Sequence, residues 1–338
     1  MKHRIALIGL GAAVRKHAWA LAELAGRAEV AGGWSPTEAR RAAFAAEHGL
    51  PVRDSLETLL DDKGVNLVII LTPPWTHLDL ARKCAERGKA VLLEKPIEGT
   101  LERSEQLVCL CEQAGIPLGI VLQNRTRTPH RRLRSLIRDG RLGDLVSASA
   151  ATRWWRAPEY YTGGRGMRER DAGGVLLTQS IHVLDQLLDL AGPAAAVTGF
   201  CATSPGRGID TEDVAVGAVR WPGGALGTID CTTMSYPGTP DRIEIAGTAG
   251  SATLERYRLR AWFRDGTEID EAETGGGDAR PGGRDYLAHR RVIADMLDAI
   301  ETGRAPVADG RSALHVHRLI DGLLRSNGTE VALNGISA

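Results

Sequence analysis

Three groups of residues in this 338-residue sequence are of types that could carry chemistry on a small ligand. The first is a glycine turn at residues 9–14, which reads Gly-Leu-Gly-Ala-Ala-Val. The second is Lys95, and the third is His182 in the later half of the chain. A phosphate-binding turn, an ammonium group and an imidazole are together able to bind a nucleotide, hold a hydroxyl group and exchange its proton.

The glycine turn lies directly after a predicted strand, residues 4–8, and directly before a predicted helix. Gly9 permits a tight turn, and Gly11 lets the backbone approach a pyrophosphate. The N–H groups that begin the helix, at Ala12 and Ala13, face the same charge, which the positive end of the helix favours. A valine occupies the third glycine position of the fingerprint, so the match is imperfect. Its place in the chain nevertheless predicts a dinucleotide-binding turn rather than an ordinary tight connection.

The segment after the second predicted strand bears on which dinucleotide binds. An Asp or Glu at this point would bond the ribose 2′-hydroxyl of NAD, but the sequence offers Ser35, Thr37 and Arg40. A carboxylate would repel a 2′-phosphate, whereas hydroxyl and guanidinium groups bind it. This favours NADP over NAD. The alternative interpretation is that Ser35 caps a helix and the arginines lie in solvent.

Lys95 follows the predicted strand 90–93, and Pro96 restricts it to extended geometry. Ligands bind at the carboxyl ends of strands in open α/β sheets, so this ammonium group could hold a substrate hydroxyl and lower its pKa. A solvated surface charge is the alternative interpretation.

His182 lies on a predicted helix, residues 175–190, with Thr178 and Asp185 on the same face. This polar stripe makes a pocket plausible, and the alternative is a structural histidine. The loop before the helix is rich in arginine and aromatic residues, Trp155 and Tyr160 among them. Such side chains suit the apolar face of a sugar or cyclitol ring, and the arginines would admit a carboxylated substrate. A solvated, salt-bridged loop is the alternative.

The elements that must position these residues alternate in the first third of the chain. Such alternation of short apolar strands with helices predicts a doubly wound parallel sheet, a nucleotide-binding architecture. The predicted strands are 4–8, 29–33, 66–71, 90–93 and 117–122, and the predicted helices are 13–25, 37–48, 55–60, 75–87 and 101–114.

After about residue 125 the pattern changes to strands of alternating polarity, which predict one mainly antiparallel sheet. The predicted strands are 145–155, 196–201, 214–221, 225–231 and 242–246; the helices are 131–138, 175–190, 285–302 and 312–325, with a loop at 274–283. The fold class is therefore α/β, with an N-terminal Rossmann domain at 1–122 and a C-terminal α+β domain at 123–338 for substrate binding and oligomerisation.

Composition excludes several function classes. The chain has 42 basic and 42 acidic residues and a pI near 7.1, so it lacks the field that a nucleic-acid partner requires. No apolar run is long enough to span a membrane and no secretory signal is evident, which predicts a cytoplasmic protein. The five cysteines have neither paired nor metal-binding spacing, so we expect reduced thiols and no metal.

Together, the glycine turn, Glu94-Lys95-Pro96 and the segment from Gly173-Gly174 to His182 resemble the Gfo/Idh/MocA oxidoreductases, named for glucose–fructose oxidoreductase and inositol dehydrogenase. The resemblance covers essentially the whole chain. It implies that Lys95 lies beside the nicotinamide and orients the substrate hydroxyl, and that His182 is the general acid/base. Asp185 is implied to be a structural or orienting partner.

The resemblance also implies further contacts. Those to the cofactor would come from Thr72, Pro73, His77, Glu94, Lys95 and Gln123, and Arg125 would contact the nicotinamide or the substrate. Many members carry an Asp where this chain has Thr178. Orientation of the substrate would then pass to Gln179, in a Gln-x-x-His arrangement, or to tyrosines.

The leading hypothesis is an NAD(P)-dependent dehydrogenase for a secondary alcohol of a sugar, sugar acid or cyclitol. One alternative is a dehydrogenase of a carboxylated cis-dihydrodiol or another non-sugar diol, and another is a non-catalytic NADP-binding sensor. By analogy with the family we expect a homodimer or homotetramer.

Overall fold

The computed structural model describes residues 2–273 and 286–333 of the chain. These residues form two compact units, one of residues 2–123 with 286–313 and the other of residues 124–273 with 314–333. None of the helices in the described part combines the length and apolar character that a membrane crossing requires. The predicted loop at 274–283 lies outside the described residues.

The first unit is built around a five-stranded sheet in which every neighbouring pair of strands is parallel, in the order β2-β1-β3-β4-β5. Val52 adds a single parallel bridge beside Gly33 at the outer edge of β2. The elements are β1 (His3–Ile8), α1 (Val14–Glu23), β2 (Ala28–Trp34), α2 (Glu38–His48), α3 (Leu56–Asp61), β3 (Val65–Ile70), α4 (His77–Ala85), β4 (Ala90–Leu93), α5 (Leu101–Gln113) and β5 (Leu118–Ile120). This is the predicted doubly wound architecture.

The strands of this sheet are continuous apolar runs because helices cover both of their faces. The side chains of β4 are all buried, and only Asn66 of β3 is exposed. Ser55 caps α3, since its side chain accepts a hydrogen bond from the N–H of Thr58 at 3.3 Å.

The second unit is built around a nine-stranded sheet in the order β13-β12-β11-β10-β6-β9-β8-β7-β14, in which only β6 and β9 pair in parallel. Its elements up to residue 272 are α6 (Thr128–Arg138), β6 (Leu145–Arg153), α7 (Arg168–Asp171), α8 (Ile181–Ala191), β7 (Ala196–Ala202), β8 (Val214–Arg220), β9 (Leu226–Thr232), β10 (Arg242–Gly247), β11 (Gly250–Glu255), β12 (Arg258–Phe263) and β13 (Glu268–Ala272). The strand β14 (Val331–Ala332) completes the sheet near the end of the described residues. The predicted antiparallel sheet is confirmed, and four of its strands, β11 to β14, were not predicted.

Three elements close the chain: α9 (Tyr286–Thr302), α10 (Gly310–Ser326) and β14 (Val331–Ala332). The helix α9 packs on α1, and its Ile293, Met296 and Leu297 join the buried core beneath the parallel sheet. The chain therefore returns to the first unit after the second, which differs from the predicted division into two continuous domains.

Candidate active site

The turn between β1 and α1 is fixed by close backbone packing at Gly9. Its N–H donates to the carbonyl of Trp34 at 2.9 Å, and its φ of +98° lies in the region that favours glycine. A Cβ at this position would lie 2.8 Å from the carbonyl carbon of Leu71 and 2.9 Å from the methyl group of Thr72. Gly9 therefore holds β1 against the end of β3, where the strand order reverses and ligands bind in such sheets.

Gly11 has the opposite environment, because a Cβ there would meet no described atom within 4 Å. Gly11, Ala12 and Ala13 are exposed, and no side chain caps the beginning of α1. Val14 is buried under the turn. The backbone N–H groups of the turn are consequently open to an anion, as a dinucleotide pyrophosphate requires.

The segment after β2 places one arginine beside Ser35. The Ser35 side chain is buried, and its carbonyl accepts a hydrogen bond from Arg41 at 2.7 Å. The N–H of Thr37 lies 3.5 Å from the Ser35 hydroxyl, while Thr37 and Arg40 are exposed. The predicted hydroxyl and guanidinium groups are thus present at this strand end, with Arg41 nearer to Ser35 than sequence reasoning foresaw.

His77 connects the loops that follow β3 and β4. Its Nε2 lies 2.8 Å from the carbonyl oxygen of Thr72, and its Nδ1 lies 3.0 Å from that of Ile97. The ring is fully buried, and burial lowers the pKa of His77. The prediction of a cofactor contact at His77 is therefore replaced by a structural role, in which the ring holds the half-exposed Thr72 and the exposed Pro73 in place.

Glu94 positions the backbone of Lys95. One carboxylate oxygen accepts the N–H of Lys95 at 3.1 Å, and the other lies 3.0 Å from Nε2 of His17 on α1. Burial alone would raise the pKa of Glu94, but the hydrogen bond from His17 and the charges of His17, His289 and Lys95 lower it to about 2. Glu94 is accordingly an anion that fixes the first residue of the loop, and Lys95 itself is half-buried.

Potential ligand atoms of His17, Glu94 and His289 all lie within 4.8 Å of one another, and the two imidazole rings meet edge-on at 5.2 Å. Such a set could ligate zinc. However, Nδ1 of His17 is buried with no hydrogen-bond partner among the described residues, whereas the second N–H of a metal-bound imidazole almost always has one. These three residues are therefore better explained as a support for Lys95 than as a metal centre. Sequence reasoning did not identify this cluster.

In the second unit, a π-helical turn at Leu176–Ser180 precedes α8. Its beginning is capped by Glu212, whose carboxylate accepts the N–H groups of Gly174 at 3.2 Å and Leu176 at 3.1 Å. A Cβ at residue 174 would lie 1.8 Å from the carbonyl oxygen of Glu212, so only glycine fits. Burial raises the pKa of Glu212. Insertions of this kind within helices are frequent at functional sites.

The π turn carries two of the predicted substrate residues and precedes the predicted general acid/base. The Thr178 hydroxyl donates to the carbonyl of Gly174 at 2.7 Å. Gln179 is buried and accepts a hydrogen bond from Arg156 at 2.9 Å. His182, in the first turn of α8, is half-exposed. Gln179, in the π turn, and His182, in the first turn of α8, therefore lie three residues apart on consecutive helical segments. The Thr178 hydroxyl instead bonds the backbone just before the π turn.

Aromatic and arginine side chains pack together in the loop that precedes this turn. The guanidinium carbon of Arg156 lies 4.8 Å from the ring centroid of Trp154 and 5.0 Å from that of Tyr160. Trp155 meets Tyr236 edge-on at 5.6 Å. Trp155 and Tyr160 are half-buried, as a surface that receives a ring would be.

Arg125 has a different environment from the predicted contact with substrate or nicotinamide. Its guanidinium makes two hydrogen bonds, of 2.9 and 2.6 Å, to the carboxylate of Asp185, and both side chains are buried. Asp189 lies 3.5 Å away and also bonds His130. Arg125 therefore has a structural role in place of the predicted contact, because its charge is neutralised inside the unit. Asp185 orients Arg125, and Gln123, just before it, is half-buried.

Sequence reasoning missed the supporting residues His17, Glu98 and Glu212, and it identified Arg156 only as one of several arginines in the loop before the helix. Glu98 is fully buried and bonds the N–H of Leu78 at the beginning of α4. His17 could have been suspected, since it is a polar residue on the otherwise apolar buried face of α1. No sequence signal relates Glu212 to the π turn, because the two are separated by more than 30 residues.

Two family models match the chain. The model described as an oxidoreductase family with an NAD-binding Rossmann fold matches residues 3–121, and the GFO/IDH/MocA C-terminal domain matches residues 130–253.

Among curated proteins, the 1,5-anhydro-D-fructose reductase of Ensifer adhaerens is 30% identical over 74% of this chain and 74% of its own length. The inositol 2-dehydrogenase of Rhizobium meliloti is 28% identical over 96% of this chain and 97% of its own. Among solved structures, the WlbA dehydrogenase from Bordetella pertussis, in complex with NADH and UDP-GlcNAcA, superposes with a TM-score of 0.86 at 28% identity, covering 98% of both chains.

Proposed function

Because the chain belongs to the GFO/IDH/MocA oxidoreductase family, we propose that it is an NAD(P)-dependent dehydrogenase of a secondary alcohol on a sugar, sugar acid or cyclitol. The observation that carries this proposal is the grouping of Gly9, Thr72 and Lys95 at the carboxyl ends of three adjacent parallel strands. Open α/β sheets bind their ligands at that edge.

The residues of the β1–α1 turn fit a dinucleotide. Gly9 tolerates no side chain, Gly11 leaves space where a pyrophosphate would approach, and the first N–H groups of α1 have no side-chain cap. We propose that Ala12, Ala13, Thr72, Pro73, Glu94 and Gln123 complete the binding site. When bound, the cofactor supplies the nicotinamide ring that accepts or returns a hydride.

We also propose that the enzyme prefers NADP to NAD. The end of β2 presents Ser35, Thr37 and Arg40, with Arg41 bonded to the Ser35 carbonyl. In place of the acidic residue that bonds an NAD ribose, these groups would bond a 2′-phosphate.

The chain's own residues would manage the proton. We propose that the Lys95 ammonium donates a hydrogen bond to the reacting hydroxyl and stabilises the alkoxide that develops. His182 would take the hydroxyl proton as the C–H bond breaks and its electron pair leaves with the hydride, which gives a ketone. In the reverse direction His182 returns the proton to the carbonyl oxygen.

The substrate surface would consist of Trp155, Tyr160 and Gln179, with Thr178 holding the shape of the π turn. Aromatic faces pack against the C–H faces of sugar and cyclitol rings. The named activities of the two curated relatives, on an anhydro sugar and on inositol, are consistent with a cyclic polyol.

Turnover assays test this proposal. Purified enzyme with NAD⁺ or NADP⁺ should produce reduced nicotinamide with at least one member of a panel of sugars, sugar acids and cyclitols. Turnover of carbocyclic cis-dihydrodiols alone would contradict the substrate class. Cofactor binding without hydride transfer to or from any member of either panel, or to the corresponding ketones, would instead indicate a nucleotide-binding sensor.

We also propose self-association through the second unit. The face of its sheet opposite α6 and α8 exposes Phe200 and Val216, which are cross-strand neighbours, and Leu226 on the adjacent strand. An antiparallel sheet with apolar residues on its uncovered face is typical of an interface between subunits.

A further inference from the structure

We propose that the substrate carries an anionic group, a carboxylate or a phosphate, and that the guanidinium of Arg156, with Arg165 beside it, binds that group. The inference rests on the proposed function, since it concerns the substrate surface of the same enzyme. The evidence for it comes from the second unit alone, namely from the packing and charges of the loop before α8.

Arg156 is held in a single orientation by three neighbours. Its guanidinium carbon lies 4.8 Å from the ring centroid of Trp154 and 5.0 Å from that of Tyr160. Its Nε donates to the side-chain oxygen of Gln179 at 2.9 Å. Arginine held in this way loses little conformational entropy when it binds a further acceptor.

The other edge of this guanidinium is formed by its two terminal nitrogens. Among the described residues, these nitrogens make no hydrogen bond and no ion pair within 4.0 Å. Those nitrogens form the planar fork that binds a carboxylate or phosphate through two parallel hydrogen bonds. A second cation, Arg165, lies 4.7 Å from the centroid of the same Tyr160 ring and likewise has no carboxylate partner in the described part of the chain.

Neighbouring arginines differ in this respect. Arg153 bonds the carboxylate of Asp230, and Arg170 lies 3.5 Å from that of Asp171. Arg207 lies 3.5 Å from Asp213 and donates to the carbonyl of Arg156. Arg156 and Arg165 therefore lack the carboxylate partner that each of these three arginines has.

Asp241 is the carboxyl group whose pKa the charge of Arg156 affects, but it does not take the place of an anionic ligand. Burial raises the pKa of Asp241 to about 6, and the positive charges of Arg256 and Arg156 oppose that rise. Asp241 makes no ion pair with Arg156 within 4.0 Å. The guanidinium carbons of Arg156 and Arg165 both lie within 5.0 Å of the Tyr160 ring centroid without a close carboxylate, and an anion bound there would offset their positive charges.

The acceptor of Arg156 connects this anion site to the chemistry. Gln179 lies in the π turn three residues before His182, so a ligand group held by Arg156 is fixed relative to the helix that carries the proposed general acid/base. Recognition of an anion at this point would select which hydroxyl of the ring faces His182.

The experiment compares ligands that differ at one carbon. Binding of D-glucose, D-glucuronate and D-glucose 6-phosphate, and of the matching galactose series, is measured by calorimetry on the cofactor-loaded enzyme. We expect at least one anionic member to bind roughly 10- to 100-fold more tightly than its neutral partner, as a charge-assisted bidentate pair gives. The two anionic arms show whether the site takes a carboxylate or a phosphate.

Variants assign that preference to the proposed residues. Arg156→Gln should remove most of the anionic preference, and Arg165→Gln should reduce it, with melting temperature as the check on folding. Arg170→Gln removes an equal charge from an exposed, ion-paired residue of the same loop and should leave the preference intact. Equal binding of anionic and neutral members, or an unchanged preference in both Arg156→Gln and Arg165→Gln, overturns the inference. Turnover of a neutral sugar by that same enzyme would leave the dehydrogenase proposal standing, and absence of turnover with every ligand would count against that proposal instead.

Discussion

The side chain at position 35 is small, buried and next to a guanidinium group, so it tests the cofactor preference directly. Ser35→Asp places a carboxylate where a 2′-phosphate would lie. We expect the affinity for NADP⁺ to fall roughly 10- to 100-fold, because like charges repel and a hydroxyl bond is lost, while NAD⁺ binding is retained. Titration with each cofactor measures both. Unchanged NADP⁺ affinity would show that the 2′-phosphate does not bind here.

Glu94 links protonation to the stability of the first unit. Its pKa of about 2 lies below that of the unfolded chain, about 4.3, so its stabilisation is complete above the unfolded value and is lost as the pH falls towards 2. We expect Glu94→Gln to lower the free energy of unfolding by about 1–3 kcal/mol at pH 7, and by less at pH 3.5.

Urea unfolding at several pH values measures this difference, with Glu102→Gln as the matched control, since Glu102 is exposed at the beginning of α5. The difference in the free energy of unfolding between wild type and Glu94→Gln should become smaller only below about pH 4.5. A gap of constant size from pH 7 to 3.5 would mean that the carboxylate charge is not what stabilises the loop.

Residue types and spacing could predict those parts of the candidate site that have local sequence signals. The glycine turn, Lys95 after its strand and His182 on its helix all have such signals. Arg125 could not be assigned correctly, because its ion pair with Asp185 joins residues 60 positions apart. The same holds for His17 and Glu94, which only the packing of α1 beside the end of β4 brings together.

Two glycine variants in the β1–α1 turn distinguish an effect on stability from an effect on cofactor binding. Gly9→Ala introduces a Cβ into the backbone of Leu71, so it should reduce both stability and cofactor affinity. Gly11→Ala has open space around it and should fold normally, yet bind the dinucleotide at least roughly 10-fold more weakly, because a methyl group would meet the pyrophosphate.

Thermal unfolding and cofactor titration of both variants provide the two readouts. Gly26→Ala is the control, since residue 26 also has space for a Cβ and is remote from the turn. Normal cofactor affinity in Gly11→Ala would place the pyrophosphate elsewhere.

The parallel sheet was predicted accurately, and the antiparallel one in part. Strands buried on both faces are continuous apolar runs, which are conspicuous in a sequence. In contrast, β13 exposes nearly all of its side chains, so it has no apolar face to detect. The strand β12 does alternate arginines with apolar residues, and sequence reasoning overlooked that pattern. The return of α9 to the first unit also lacks a local signal, because an amphipathic helix does not indicate which core it covers.

The outer face of the nine-stranded sheet is the proposed interface between subunits. Phe200 is 59% exposed and Val216 is 44% exposed, side by side on β7 and β8. The double variant Phe200→Glu, Val216→Glu should reduce the subunit number, because burying two carboxylates in an interface is costly. Light scattering after size-exclusion chromatography measures the mass of both proteins. A monomeric wild type, or an unchanged oligomer in the double variant, would contradict an interface on this face.

Lys95 and His182 are proposed to act in one hydride-transfer reaction. Single-turnover formation of reduced nicotinamide, with a substrate identified from the polyol panel, tests it in the wild type and in two variants. We expect Lys95→Ala to slow the step roughly 10²- to 10³-fold and His182→Ala roughly 10²- to 10⁴-fold, with cofactor affinity of His182→Ala near that of the wild type. Wild-type rates in both variants would contradict the account.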